Sequence, residues 1–240
     1  MVLEVVGLHK QFQTGAAAVL ALRGVDLDVA PTEFLSIMGP SGSGKTTLLS
    51  ILGCLEPPTS GVYRLAGEDV AGFDERRSAR VRRERIGIVF QSFNLLPRAT
   101  ALQNVELPLV YAHVPPQQRR DRAREALVRV GLADRSEHLP RQLSGGQQQR
   151  VAVARAIVIG PDVVLADEPT GNLDSRSADE VLDVLGTIHR DGATIVLVTH
   201  SREVADRGTR IVHMLDGRVD AEEAVPVPRQ GAGEPAGAKP

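Results

Sequence analysis

The chain has 240 residues, of which 42% are hydrophobic and 24% charged, and these ordinary proportions exclude a mainly disordered polypeptide. Its single cysteine, Cys54, excludes an internal disulfide and a cysteine-based zinc cluster. The formal net charge of -2 argues against a protein that binds nucleic acid through bulk positive charge, so we expect no nucleic-acid partner.

Apolar runs in the sequence are too short for a membrane span, which needs about 18 to 20 consecutive apolar residues. Residues 151–159 are interrupted by Arg155, and residues 193–198 have only the length of a strand. The first ten residues contain Glu4 and His9 in an alternating pattern, so no secretory signal is expected. The sequence therefore predicts a cytoplasmic protein that reaches a membrane only through a partner.

Short apolar segments alternate with helix-periodic segments, which is the pattern of a parallel sheet with crossover helices. Helices are predicted at residues 45–55, 178–190 and 201–206. The predicted strands are residues 2–8, 25–29, 34–38, 86–90, 163–166, 194–198 and 210–215.

The middle of the chain has a different pattern. Residues 101–159 are helix-periodic, with breaks at Pro115-Pro116 and at residues 144–146, and this indicates a helical insertion into an α/β core. Six arginines between residues 76 and 85 are best interpreted as a solvated helix face, with a functional basic patch as the alternative. Residues 221–240, rich in Ala, Gly and Pro, are predicted to form a flexible tail.

A glycine-rich segment lies between the third predicted strand and the first predicted helix, and it matches G-x-x-x-x-G-K-[ST] in full. Such a loop directs backbone N–H groups at phosphate oxygens. Lys45 would reach the β and γ phosphates, while the Thr46 hydroxyl would coordinate Mg²⁺; a chance glycine-rich turn is the alternative. The residues expected to bind the phosphates of ATP are Gly39, Pro40, Ser41, Gly42, Ser43, Gly44, Lys45, Thr46 and Thr47.

Two carboxylates, Asp167 and Glu168, follow the buried strand predicted at residues 163–166. Open α/β sheets bind ligands at the carboxyl ends of their strands. Asp167 is placed to hold Mg²⁺ directly or through water, and Glu168 is free to polarise a water for attack on the γ phosphate. An apolar strand that ends in Asp-Glu is common, so the signal depends on the phosphate loop that accompanies it.

The segment Leu-Ser-Gly-Gly-Gln at residues 143–147 resembles the signature of the ATP-binding-cassette, or ABC, ATPases. Ser144 followed by small residues is also a common helix cap, and a capped helix with two glycines offers a site for an anion. The resemblance implies a head-to-tail homodimer that forms with ATP. Members of the ABC ATPase family bind the γ phosphate of the nucleotide on the opposite subunit through this signature. The corresponding residues here are Ser144, Gly145, Gly146 and Gln147.

Three further residues match the order and spacing of that family. The resemblance implies that Gln91 senses Mg²⁺ and water and links the site to the membrane subunit. It also implies that His200 contacts the γ phosphate and that Asp174 lies at the dimer interface. Each of these residues, taken alone, is more often structural.

The family places an aromatic residue against the adenine base where this chain has Phe12, in His9-Lys10-Gln11-Phe12. Tyr is the usual residue, and Phe keeps the stacking surface without the hydroxyl. The alternative is a core position, because most Phe side chains are buried.

The resemblance implies a P-loop NTPase, or RecA-like, α/β core with an antiparallel β subdomain and an inserted helical signature subdomain. It covers an ABC ATPase domain at residues 1–220, with the helical subdomain at about 92–158. Residues 166–175 and 90–97 look most like the lipoprotein-releasing and macrolide-exporting cassettes.

The resemblance implies an ATPase that drives one or two separate integral membrane permease chains for export, lipoprotein release or mechanical work. It would act from the cytoplasmic face of the plasma membrane. Two alternatives stay open at this point: an ABC ATPase of DNA repair or translation, and a regulatory nucleotide-binding module without turnover. A module without turnover is expected to lack the catalytic base, whereas this chain has Glu168.

Overall fold

A computed structural model describes residues 1–14 and 17–226 of the chain. Its smaller sheet is antiparallel, with the strand order β2-β1-β4-β5. The two long strands β1 and β2 form a ribbon in which Phe12 is opposite Val19. The strands of this sheet are β1 (Leu3–Thr14), β2 (Ala17–Val29), β4 (Ser60–Leu65) and β5 (Glu68–Asp69).

The larger sheet has the order β10-β9-β3-β8-β7-β6, and its strands are parallel except for β10, which pairs antiparallel with β9. Its central strands are almost continuously apolar because both faces of the sheet are covered. The strands are β3 (Phe34–Met38), β6 (Ile86–Val89), β7 (Val163–Asp167), β8 (Ile195–Thr199), β9 (Arg210–Leu215) and β10 (Arg218–Ala224).

Seven α-helices lie within the described ranges. Three of them, α3, α4 and α5, follow β6, precede β7 and pack against one another. The helix bounds are α1 (Lys45–Leu52), α2 (Glu75–Arg85), α3 (Ala101–Tyr111), α4 (Pro116–Arg129), α5 (Gly145–Ile157), α6 (Ser175–Arg190) and α7 (Arg202–Ala205).

The hydrophobic core has two parts, one on each face of the larger sheet. Phe34 of β3 belongs to the part that contains residues of helices α3 to α6, whereas the next residue, Leu35, belongs to the part with residues of α1 and the smaller sheet. This alternation follows from the two-residue period of a strand. Because the strands from β9 to β6 run parallel, their carboxyl ends lie at one edge of the sheet, where the loops that carry the candidate site residues begin.

The fold class predicted from the sequence is confirmed: an α/β core carries an antiparallel β part and an inserted helical part. The arginine-rich segment is the solvated helix α2, which buries only Val81. Four of its arginines pair with nearby carboxylates, as expected for a solvated helix face; these are Arg80, Arg82, Arg83 and Arg85.

The prediction of a flexible tail from residue 221 is wrong at its beginning. Residues 221–224 belong to β10, where Glu222 pairs with Val212 and Ala224 with Arg210. These residues are polar and small because β10 is an edge strand, exposed along most of its length. The rest of that prediction, from residue 227 onward, lies outside the described residues.

Within residues 1–14 and 17–226, no helix is both long and apolar enough to cross a lipid bilayer.

Candidate nucleotide site

The loop at residues 39–44 joins β3 to α1 and curls around the side chain of Lys45. Lys45 Nζ donates hydrogen bonds to the carbonyl oxygens of Gly39, at 2.8 Å, and Pro40, at 2.9 Å. Gly44, at the N-terminal end of α1, has a φ of 99°, and a Cβ atom there would lie 2.7 Å from the carbonyl oxygen of Ala21. Only glycine fits this position without strain.

Asp167, the last residue of β7, presents an oxygen that lacks a partner. Its Oδ1 atom is buried and has no hydrogen-bond partner among the described residues. Burial is the main cause that raises the pKa of Asp167 above its usual value, the Glu168 charge adds to it, and Lys45 opposes it. A buried, unpartnered carboxylate oxygen beside a second carboxylate is the environment that a bound cation would stabilise.

Glu168 follows in a backbone conformation that is uncommon for a residue other than glycine, with a φ of 43°. Its N–H donates to the carbonyl oxygen of Val198, at 3.0 Å, which ties it to the neighbouring strand β8. His200, two residues after Val198, lies 2.8 Å through Nδ1 from Glu168 Oε1. The His200 side chain is 73% exposed, so it is open to a ligand.

A cavity of about 490 Å³ is lined by both Lys45 and Glu168, whereas Asp167 and His200 are not among its lining residues. Its walls come from the phosphate loop, Glu168, β2 and the turn between β9 and β10. Its lining residues are Val19, Leu20, Ala21, Arg23, Ser41, Gly42, Gly44, Lys45, Thr46, Thr47, Glu168, Val198, Asp216 and Gly217.

Phe12 is not among the residues that line this cavity, but its cross-strand neighbour Val19 is. Phe12 is 37% exposed, which does not fit the alternative of a core position. The ammonium group of Lys10 lies 4.9 Å from the centre of its ring, within the range of a cation–π interaction. The side chain therefore lies on the surface of the β1–β2 ribbon, on the residue paired with Val19 of the cavity lining.

Ser144 to Gln147 lie at the start of α5, and in the described structure none of the four lines that cavity. Ser144 Oγ accepts a hydrogen bond from the N–H of Gln147, and the N–H of Ser144 in turn donates to Oε1 of the Gln147 side chain. This capping box begins the helix. A Cβ atom at Gly146 would lie 2.9 Å from Cβ of Ser177, so the glycine lets α6 approach closely.

Gln91 and Asp174 lie on two loops that contact each other. Gln91 Nε2 donates to Asn172 Oδ1 at 3.2 Å, and Asn172 Nδ2 donates to the carbonyl oxygen of Gln91 at 3.1 Å. Asp174 caps α6 by accepting from the N–H of Ser177, and this bond lowers the pKa of Asp174. Arg155 donates to two carbonyl oxygens of the loop that Gln91 begins.

The sequence interpretation missed several of these residues. Asn172 and Arg155 carry no motif of their own, and they reach Gln91 and its loop across 81 and 61 to 62 residues of sequence. Asp216 and Gly217 were missed although an Asp-Gly pair between two apolar-rich runs is a signal of a hairpin turn. Gly217 N–H donates to the carbonyl oxygen of Ser43, so this turn braces the phosphate loop.

The geometry defines a class of protein. A glycine-rich loop between a central strand and a helix, with two carboxylates at the end of a neighbouring parallel strand, is the arrangement of a P-loop nucleotide hydrolase.

Comparison with known proteins narrows this class. The family described as ABC transporter matches residues 22–171. A Thermotoga maritima relative named "Uncharacterized ABC transporter ATP-binding protein" is 54% identical over 222 residues, which are 92% of this chain and 95% of that protein. The chain is also 52% identical to an Azoarcus protein named "Macrolide export ATP-binding/permease protein MacB", over 92% of its own length. It spans about a third, 34%, of the length of that relative.

Solved structures agree. The dimeric ATP-binding cassette MJ0796, in a post-hydrolysis state with ADP and phosphate, has a TM-score of 0.86 and 43% identity, covering 94% of this chain and 99% of that one. CbiO1 of Clostridium perfringens, part of the transporter complex CbiONQ, has a TM-score of 0.83 and 28% identity, covering 93% and 88%. The chain belongs to the ABC transporter family, and it is an ATP-binding cassette with ATPase function. DNA repair or translation receives no support from these relatives.

Proposed function

We propose that this cassette binds ATP with Mg²⁺, dimerises with a second copy, and uses hydrolysis to drive a separate integral membrane permease. The observation that carries the proposal is the single cavity in which the phosphate loop meets Glu168. The domain that does this work is proposed to be residues 1–220, with residues 92–158 as its helical signature subdomain.

The residues of the phosphate loop are proposed to hold ATP. The ammonium of Lys45 already lies within 2.9 Å of two loop carbonyls, Gly39 and Pro40, so phosphate oxygens can replace those acceptors with a small movement of the side chain. Thr46 and Thr47 lie in the first turn of α1, where backbone N–H groups and the helix dipole favour an anion. Phe12, paired with Val19 of the cavity lining, is proposed to cover the adenine base.

The donor set fits Mg²⁺, which prefers oxygen ligands and usually keeps part of its water shell. The Thr46 hydroxyl, the Gln91 carboxamide and the unpartnered Oδ1 of Asp167 would hold it. When bound, the ion would neutralise phosphate charge. The pKa of Asp167 is raised because burial, with the Glu168 charge, destabilises its charged form, so a bound cation would stabilise this carboxylate.

Glu168 is proposed to act as the general base. Its Oε1 atom is held by His200 Nδ1, which leaves Oε2 to accept a proton from the attacking water. The backbone bond to Val198 and the left-handed φ fix the direction of the side chain. His200, exposed next to this carboxylate, is proposed to contact the γ phosphate and report its presence.

Two copies are proposed to complete each site. Ser144, Gly145, Gly146 and Gln147 lie outside the cavity of their own chain, and the capped start of α5 offers N–H groups to an anion. These residues are proposed to bind the γ phosphate on the opposite subunit. Asp174, exposed on the adjoining loop, is proposed to lie at the interface.

The permease contact is proposed in a groove of about 590 Å³ beside the Gln91 loop. Its apolar wall includes Phe90, Leu107 and the largely exposed Tyr111, and its rim carries Arg82, Arg83 and Arg155. This chemistry suits a short cytoplasmic segment of the permease that presents an acidic side chain among apolar ones. Through that segment the cassette is proposed to sit at the cytoplasmic face of the plasma membrane.

Phosphate release by the purified chain tests the proposal. We expect Mg²⁺-dependent hydrolysis in the wild type and its loss in Lys45→Ala, while Arg122→Ala, on an exposed position of α4, retains it. Equal rates in the Lys45 and Arg122 variants would show that the phosphate loop is not the site of hydrolysis.

A further inference from the structure

The contact between Gln91 and Asn172 has a direction that its chemistry fixes. A carbonyl oxygen only accepts hydrogen bonds, so the Asn172 atom that faces the Gln91 main-chain carbonyl, at 3.1 Å, must be the Nδ2 amide. The other end of the same side chain is then Oδ1, an acceptor. The Gln91 atom 3.2 Å away must therefore be its Nε2 donor.

The Gln91 carboxamide has two polar atoms, Nε2 and Oε1. With Nε2 engaged by Asn172, the remaining atom at the end of the side chain is Oε1, and oxygen is the only carboxamide atom that binds a hard cation or accepts from water. We propose that Asn172 is a positioning residue that orients the Gln91 carboxamide so that Oε1 is presented to the magnesium and water of the site. This inference rests on the function proposed above for Gln91.

Gly171, next to Asn172, lies close to the Gln91 side chain. A Cβ atom added at Gly171 would lie 2.8 Å from Gln91 Nε2, closer than non-bonded atoms approach. The absence of a side chain at residue 171 therefore lets Gln91 reach Asn172.

The same contact joins two loops with different proposed tasks. Gln91 begins the loop along the permease groove, and Asn172 lies two residues before Asp174, which caps α6 at the proposed dimer interface. The pair is the hydrogen-bonded link between Gln91 and the Asp174 loop in the described structure.

Hydrogen exchange of the nucleotide-free chain tests the contact itself. We expect amides of residues 91–95 to exchange about three- to tenfold faster in Asn172→Ala, since the loss of a hydrogen bond costs about 1 kcal/mol. Asn172→Asp, which has the same shape but cannot donate to the Gln91 carbonyl, should behave like Asn172→Ala. Rescue by the aspartate would overturn the proposed direction of the pair, and Gln117→Ala on α4 serves as the control for loss of an amide side chain elsewhere.

The Mg²⁺ dependence of ATP hydrolysis tests the positioning role. Asn172→Ala and Gly171→Ala should each raise the half-saturating Mg²⁺ concentration about three- to tenfold, and Asn172→Ala should have no further effect in a Gln91→Ala background. An equal effect of Asn172→Ala with and without Gln91 would overturn the proposal. If Gln91→Ala itself leaves the Mg²⁺ dependence unchanged, the role proposed for Gln91 is wrong, while the exchange result still reports on the contact alone.

Discussion

Removal of the Arg155 guanidinium is expected to release the loop that follows β6. Arg155 Nη1 donates to the carbonyl oxygen of Asn94 at 2.5 Å, and Nη2 to that of Phe93 at 2.9 Å. These two residues have left-handed φ values of 49° and 57°, which side chains other than glycine adopt at a cost. The guanidinium therefore holds a loop that would otherwise relax. Burial lowers the pKa of Arg155, which remains the charged donor.

The size of the effect follows from these two bonds. A hydrogen bond to a charged group contributes about 1.5–3 kcal/mol when buried. The bond to Asn94 is exposed, so it contributes less, and part of the loss is recovered when Phe93 and Asn94 leave their left-handed conformations. Arg155→Met keeps the aliphatic stem in place, and we expect it to lower the free energy of unfolding by about 2 kcal/mol.

Urea denaturation followed by circular dichroism measures this loss. Arg122→Met on α4 is the matched control, an exposed helical arginine for which a change within about 0.5 kcal/mol is expected. Hydrogen exchange should localise the effect of Arg155→Met to residues 91–96. If the two variants unfold at the same urea concentration, the guanidinium does not hold the loop.

Three further variants probe other parts of the account. Phe12→Ala should weaken ATP binding about tenfold through lost stacking, measured by calorimetry, and unchanged affinity would remove Phe12 from the site. Tyr111→Ala should reduce permease-stimulated turnover but not basal turnover. Val128 on α4 is equally exposed, and Val128→Ala should change neither rate. If both variants are stimulated equally by the permease, the groove is not the contact surface. Burial raises the pKa of Asp167 above its usual value of 3.8, so at pH values above 3.8 the charged carboxylate lowers the free energy of unfolding. Asp167→Asn should therefore unfold at higher urea than wild type at pH 7, an advantage that disappears as the pH falls and the wild-type carboxyl is protonated, while hydrolysis is lost.

Local sequence features were sufficient to predict the parts of the fold that are strongly apolar or carry a dense motif. The phosphate loop, with its glycines and Lys45 between an apolar strand and a helix, identifies both a structure and a chemistry. Strands β7 and β8 are continuous apolar runs, and their positions were predicted within one residue. Such segments encode their structure locally because burial on both faces permits few other residues.

The features that were missed depend on neighbours distant in the sequence. Strand β10 is polar because it lies at a sheet edge, so its alternation is weak and its pairing with β9 decides its structure. The contact of Asn172 with Gln91 arises because β6 and β7 are adjacent in the sheet, which brings the loops after them together. Sequence spacing alone does not show which strands are neighbours.

Glu168 is proposed to activate the attacking water in a site that two copies of the chain complete. Glu168→Gln keeps the size of the side chain and removes its charge, so ATP should still bind while hydrolysis falls by roughly 10² to 10⁴. Light scattering coupled to size-exclusion chromatography with ATP and Mg²⁺ should then detect a stable species of twice the 25.7 kDa chain mass. This species should be absent in the double variant that carries both Glu168→Gln and Lys45→Ala. A Glu168→Gln chain that stays monomeric with bound ATP, or hydrolyses ATP at the wild-type rate, would contradict the account.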